Sequence, residues 1–177
     1  QKERMLESSI SNYSFLTAIG ELFDNSIQYV LCNRFNSQKT IKVTLNFIRA
    51  TFNLVDNGIG CSDPKDMFRY GSNRPPTQEH SQEGCISFGR YMNGTFSRFG
   101  VGAKNACNAL GRRYIVSSKT RDSKSVQIVE DSDQSNWVAK RRFRALEEGE
   151  EAASSFCKID IQDFRVDFLT EGGAFSA

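Results

Sequence analysis

The stretch ELFDN at residues 21–25 lies inside a run of apolar residues that recur at three- and four-residue spacings. This periodicity predicts an amphipathic helix from Tyr13 to Leu31. Glu21 and Asn25 are four residues apart and therefore lie on one face of that helix. A carboxylate there could activate a water molecule, and a carboxamide oxygen could hold a metal ion. A solvated polar face would give the same pattern.

A second stretch, DNGIG at residues 56–60, follows a predicted apolar strand. The carboxylate of Asp56, at the strand end, can accept a hydrogen bond from an exocyclic amine such as that of adenine. Gly58 and Gly60 lack side chains and let the backbone approach a flat ligand closely. A plain Asn-Gly turn would also explain the stretch.

A third stretch, FGVGAK at residues 99–104, places two glycines at the start of a predicted helix over residues 101–110. Backbone N–H groups and the positive end of a helix favour phosphate, and Lys104 adds a full charge. The stretch lacks the GxxxxGK[ST] spacing of a Walker loop. It also lacks the third glycine and the preceding strand of a dinucleotide-binding fingerprint.

Residues 71–100, between the second and third stretches, are polar and rich in Gly, Ser, Pro and Asn, which predicts a long lid. With this lid, the order and spacing of the three stretches resemble the GHKL ATPases, the family of gyrase, ninety-kilodalton heat-shock chaperones, histidine kinases and MutL. The resemblance covers roughly residues 13 to 161.

The resemblance implies a single ATP-binding domain over residues 1–177, with an α/β (α+β) fold of the Bergerat type. In this two-layer sandwich, helices cover one face of a mixed, mainly antiparallel sheet, and ATP lies between the helices and the lid. Periodicity and turn signals predict a first helix capped by Ser11 or Asn12. They predict a further short helix at residues 64–70 and strands at 41–47, 51–55, 113–118, 125–129, 137–143 and 156–161.

The resemblance also implies a role for each matching residue. Glu21 would be the general base that orients water, and Asn25 would bind the Mg²⁺ that bridges the phosphates. Asp56 would accept a hydrogen bond from the adenine amine, and Gly58 and Gly60 would make room for the base. The phosphates would be held by Gly100, Val101, Gly102, Ala103 and Lys104.

Three features depart from the family pattern. Cys61 stands where the family usually has methionine. The later Gly-Thr motif is not evident, and either Ser154-Ser155 or Ser117-Ser118 could stand in for it. The second-domain lysine that often contacts the terminal phosphate would lie beyond Ala177, so slow ATP hydrolysis is expected of this chain alone.

Within the family, residues 15–26, 53–71 and 99–104 look most like microrchidia-type ATPases and the related structural-maintenance-of-chromosomes flexible-hinge-domain proteins. This likeness implies a nuclear protein of chromatin silencing or compaction. ATP would close the lid and bring two copies together as a homodimer, and DNA or chromatin would be reached through other domains.

Two alternatives remain open. Histidine kinases share the fold but usually carry Asn at the position of Glu21. The presence of Glu at this position favours ATP hydrolysis over phosphate transfer to histidine. A scaffold or nucleic-acid-binding module without turnover would use the basic run Lys140–Arg144. Because side chains alternate along a strand, that run would be divided between two faces, and nearby glutamates would partly balance it.

The composition fits a soluble globular chain of 177 residues with a net charge of +2, too small to indicate a nucleic-acid-coating surface. Its five cysteines form no CxxC pair and there is one histidine, so we expect free thiols in a reducing compartment and no zinc site. No apolar run approaches the roughly 20 residues of a membrane helix. The chain begins with Gln1, as expected of a piece of a longer protein.

Overall fold

The computed structural model describes residues 13–62, 64, 102–131 and 140–165. The first helix, α1, spans Phe15–Cys32. Its N-cap is Ser14, whose side chain accepts a hydrogen bond from the backbone N–H of Thr17 at 3.1 Å. The predicted caps, Ser11 and Asn12, are therefore wrong, because the extended residue that satisfies the first-turn donors lies closer to the apolar run.

Six strands form one sheet, and every neighbouring pair of described strands is antiparallel. The order in the sheet is β1-β2-β6-β3-β4-β5. The strands are β1 (Ile41–Asn46), β2 (Thr51–Asp56), β3 (Gly111–Lys119), β4 (Val126–Asp131), β5 (Lys140–Arg144) and β6 (Phe156–Phe164). The expected antiparallel sheet is confirmed, and the described residues contain no parallel pair of the kind a mixed sheet would have.

A second helix, α2, spans Gly102–Leu110 and packs against α1. Both helices contribute to a core on one face of the sheet, so the predicted two-layer architecture is confirmed. The fully buried side chains of Leu22, Phe52 and Leu110 lie in this core. Each such burial is worth about 1.5–3 kcal/mol, which fixes the two helices over the central strands.

The sequence predicted a helix over residues 101–110, and the helix does stop at Leu110. Gly111 is the first residue of β3, two residues earlier than the predicted start at residue 113. A Cβ at this position would overlap the side chain of Ile161 on β6. The glycine thus allows α2 to pass directly into a strand of the sheet. The predicted lid and the helix at 64–70, apart from Pro64, lie outside the described residues.

The basic run on β5 is divided between the two sheet faces, as the alternation of a strand requires. Arg144 is opposite Val126 and Phe143 is opposite Gln127. Arg144 donates two hydrogen bonds of 2.7 Å to the carboxylate of Glu150, and this pairing holds the pKa of Glu150 at about 2. One cation of the run is therefore already neutralised within the chain.

The cysteines differ from expectation at one position. Cys61, Cys107 and Cys157 are free thiols. Cys32 is disulfide-bonded, so the prediction of free thiols is wrong there. None of the described helices is long and apolar enough to cross a membrane.

Candidate functional site

Asp56 lies at the end of β2, and three donors surround its carboxylate. The hydroxyl of Ser26 donates to Oδ2 at 2.9 Å, and the backbone N–H of Gly58 donates to Oδ1 at 2.9 Å. The backbone N–H of Cys157 on β6 supplies a third hydrogen bond. Because an ionised carboxylate offers about four lone-pair sites, it can accept one further hydrogen bond from a ligand.

The environment of Asp56 is unfavourable for its charge. The side chain is 2% exposed, and burial raises its pKa from 3.8 to about 6 even though all three hydrogen bonds act in the opposite direction. The carboxylate is therefore ionised at neutral pH but poorly solvated. Such a group gains more from a ligand N–H donor than a solvated carboxylate would, because the new hydrogen bond replaces missing water.

Gly58 and Gly60 are both required by contacts within the protein. A Cβ on Gly58 would lie 2.7 Å from the backbone and Cβ of Tyr29 on α1. Gly60 has a φ of +71°, and a Cβ there would overlap the backbone carbonyl of Lys119. The two glycines allow residues 56–60, here called the 56–60 loop, to lie against α1 and the end of β3. Their expected second role, making room for a base, stays a prediction.

The 56–60 loop is also held by hydrogen bonds from polar side chains that were not predicted from the sequence. Asn33, the C-cap of α1, is 2% exposed. Its Nδ2 donates to the carbonyls of Asn57 at 2.7 Å and Gly58 at 3.1 Å. No local sequence signal marks Asn33 or Ser26 as loop contacts, since both partners lie more than twenty residues away in the chain.

Each candidate pair for the Gly-Thr motif supplies one serine that contacts either this loop or Cys61, the residue that follows it. Ser155 donates to the carbonyl of Gly58 at 2.8 Å. Ser118 accepts from the backbone N–H of Cys61 at 2.7 Å and donates to the carbonyl of Phe156. Both pairs therefore supply a hydroxyl to the same neighbourhood, and the choice between them stays open.

Glu21 lies directly against the N-terminus of α2. A Cβ placed on Gly102 would overlap Oε2 of Glu21, so the absence of a side chain at Gly102 is what admits the carboxylate. Burial, assisted by the nearby charge of Asp24, raises the pKa of Glu21. A carboxylate with a raised pKa is a stronger base. It stands where backbone N–H groups of a helix end would bind phosphate.

Asn25 is one helical turn beyond Glu21, and its Nδ2 donates to the Glu21 carbonyl at 2.9 Å. This hydrogen bond fixes the carboxamide and leaves its oxygen for a ligand. An amide oxygen is a hard donor of the kind that Mg²⁺ accepts, and Mg²⁺ usually takes few protein ligands beside phosphate and water. The residue present thus fits the metal that the sequence predicted.

Of the stretch predicted to bind phosphate, residues 100–104, the described residues include only 102–104. Gly102 and Ala103 form the first turn of α2, and Ala103 packs against the core. Lys104 follows them and is 3% exposed, so its side chain runs into the protein. Gly100 and Val101, the other two predicted residues, lie outside the described residues.

The helix α1 connects the two halves of the site. Glu21, a residue of α1, lies against the N-terminus of α2. Ser26, five residues later on α1, contacts Asp56. At 1.5 Å per residue these positions are about 7–8 Å apart along the helix axis. A buried carboxylate therefore lies at one end and a second carboxylate, beside a helix N-terminus, lies at the other.

Comparison with known proteins agrees with this geometry. A match to the family described as histidine kinase-, DNA gyrase B- and HSP90-like ATPases spans residues 13–159. The chain belongs to this family of ATPases, and ATP is accordingly the nucleotide that its site binds.

The comparison also gives a match to an individual protein. The chain is 26% identical over 201 residues to the structural maintenance of chromosomes flexible hinge domain-containing protein GMI1 of Arabidopsis thaliana. The match covers 92% of this chain but only 13% of that protein. It agrees with the resemblance already seen in the sequence.

Proposed function

We propose that this chain binds ATP with Mg²⁺ and hydrolyses it, and that ATP binding brings two copies together in a chromatin-associated nuclear protein. The observation that supports catalysis most directly is the contact of Glu21 with Gly102. It brings a desolvated carboxylate to the helix end where the terminal phosphate would lie. Asn25 stands one turn away as the metal ligand.

In this proposal, each end of the site has its own task. Asp56 accepts a hydrogen bond from the adenine amine, and the first turn of α2 binds the phosphates through its backbone N–H groups. Glu21 orients a water molecule and accepts its proton. Mg²⁺, held by Asn25, would neutralise charge on the phosphates.

Binding is tested by calorimetric titration with a non-hydrolysable ATP analogue and Mg²⁺. We expect the parent chain to bind and Asp56→Ala to lose binding, because the variant has no acceptor for the base. Asp122→Ala, in the β3–β4 turn, is the matched control and should bind as the parent does. If the parent chain does not bind the ATP analogue, a scaffold that binds no nucleotide becomes the better interpretation.

Catalysis is tested separately with Glu21→Gln. The amide keeps the shape of the side chain but cannot accept a proton, so we expect normal nucleotide binding and loss of phosphate release. Glu148→Gln, in an exposed loop, is the control. Hydrolysis by Glu21→Gln at the parental rate would remove Glu21 from the catalytic role.

The assembly and the cellular role rest on the resemblance and on the name of the Arabidopsis relative, which refers to the maintenance of chromosomes. We expect a non-hydrolysable ATP analogue to shift the full-length protein from monomer to dimer in light scattering. The Asp56→Ala protein should stay monomeric under the same conditions. An unchanged mass of the parent protein at saturating analogue would contradict ATP-gated dimerisation.

A further inference from the structure

Ser26 is a buried polar residue of α1 to which the proposed function assigns no task. It is 3% exposed and directly follows Asn25. Its hydroxyl donates to Asp56 Oδ2 at 2.9 Å. This is the one hydrogen bond from a side chain among the three that the described residues make to the carboxylate, since Gly58 and Cys157 donate from the backbone.

The backbone N–H groups of Gly58 and Cys157 are fixed in place by the 56–60 loop and by β6. They can therefore donate to either oxygen of Asp56, depending on how the carboxylate is turned. The Ser26 hydroxyl adds a donor from α1 on the opposite side of the carboxylate group. With Oδ1 held by Gly58 and Oδ2 held by Ser26, the side chain cannot rotate without breaking a buried hydrogen bond. Both oxygens accept a hydrogen bond, an arrangement that favours the ionised form of the carboxyl group.

We propose that Ser26 is a positioning residue for base selection: its hydroxyl holds Asp56 as an oriented, ionised acceptor, so that the site prefers a base carrying an amine over one carrying a carbonyl. This inference rests on the proposed binding of ATP. Hypoxanthine has a carbonyl where adenine has its amine. An ionised carboxylate repels that carbonyl, whereas a protonated carboxyl group can donate a hydrogen bond to it.

The surroundings of Asp56 make its protonation state sensitive to this one hydroxyl. The titratable groups that face it are Tyr29 from α1 and the thiols of Cys61 and Cys157. Burial raises the pKa of Tyr29 and of Cys157 further above neutrality, so both are uncharged at pH 7. Lys158, next to Cys157, pairs with Asp160 at 3.1 Å. Hydrogen bonds are thus what keep the Asp56 carboxylate ionised.

The experiment measures dissociation constants of the 177-residue chain for non-hydrolysable analogues of ATP and inosine triphosphate, with Mg²⁺, at pH 6, 7 and 8. The parent chain should prefer the adenine analogue, and less strongly at pH 6. Ser26→Ala should reduce this preference by about tenfold at pH 7, the value of one charge-assisted hydrogen bond. The loss of preference should begin at a higher pH than in the parent.

Two further variants separate positioning from general stability. Ser26→Thr keeps the hydroxyl and should keep the preference. Ser123→Ala removes the hydroxyl of a serine in the β3–β4 turn, which donates to the carbonyl of Ser125 at 2.7 Å, and it should change neither the preference nor its pH dependence. Equal weakening of both analogues in Ser26→Ala would overturn the inference, because a merely structural role predicts that result.

Failure of the inference and failure of the proposed function give different results. If the parent prefers the adenine analogue and Ser26→Ala shows the same ratio at every pH, ATP binding stands and the role of Ser26 is refuted. If the parent binds neither analogue, the proposed function is refuted and the inference falls with it.

Discussion

Replacing Asp56 by asparagine should make the ligand-free chain more stable while it abolishes ATP binding. The substitution removes a charge from a side chain that is 2% exposed and keeps its shape. The amide oxygen can still accept from Gly58, as Oδ1 does at 2.9 Å. The Ser26 hydroxyl can turn to accept from the new amide N–H instead of donating.

The magnitude follows from the pKa of Asp56, which rises from 3.8 to about 6 in the folded chain. One pKa unit corresponds to about 1.4 kcal/mol, so the ionised carboxylate costs the folded state about 3 kcal/mol above pH 6. Burying the neutral amide also has a cost. We therefore expect Asp56→Asn to raise the free energy of unfolding by about 1–3 kcal/mol at pH 8.

The pH dependence has a definite sign. Because the folded-state pKa lies above the unfolded value, the folded chain binds the extra proton, and the parent gains stability as the pH falls from about 6 toward 4. The advantage of Asp56→Asn should therefore shrink by about 2 kcal/mol between pH 8 and pH 4.5.

The assay is urea unfolding of both proteins at the two pH values, with Asp122→Asn as an exposed control that should show no such trend. A variant less stable than the parent at pH 8 would refute the reasoning. So would a stability difference that does not depend on pH.

Three other substitutions test individual contacts. Gly102→Ala places a methyl group where Oε2 of Glu21 lies; it should lower kcat by about 100-fold and change nucleotide affinity little in stopped-flow and calorimetric assays, because only the carboxylate is displaced. Gly60→Ala should lower the free energy of unfolding by about 3 kcal/mol in urea, since Gly60 has a φ of +71° and abuts the carbonyl of Lys119. Lys119→Met should cost about 3 kcal/mol in the same assay, because Nζ donates to the carbonyls of Ala152 at 2.7 Å and Ser154 at 2.6 Å.

Each of these predictions can fail in its own way. Parental turnover in Gly102→Ala would mean that Glu21 is not held in place by this contact. A fully stable Gly60→Ala would mean that the loop can relax away from β3. Parental stability of Lys119→Met would mean that the buried ammonium group gains nothing from its carbonyl partners.

The elements of this fold were predictable from the sequence because local periodicity determines them. The apolar spacing that predicted a helix from Tyr13 to Leu31 corresponds to α1 at Phe15–Cys32. The signals that predicted strands at 41–47 and 51–55 correspond to β1 and β2. The N-cap was missed because Ser11, Asn12 and Ser14 all have suitable side chains, and only the backbone conformation of Ser14 decides among them.

The site was predictable only where its residues stand in a motif. Glu21 and Gly102 come from separate motifs, and the structure brings them together. Asn33 and Ser26 could not have been identified, because their partners become neighbours only when α1 packs beside the end of β2. For Gly58 and Gly60, the motif gave the residues but not the contacts with Tyr29 and Lys119 that require them.

The position of β6 affects how the protein is made. It is the last strand of the described chain, yet it lies between β2 and β3, which do not pair with each other. Its Cys157 also supplies one of the hydrogen bonds to Asp56. During synthesis, the β1–β2 hairpin and the β3–β4 pair leave the ribosome without the strand that joins them. The sheet can therefore close, and Cys157 can donate to Asp56, only once β6 has emerged.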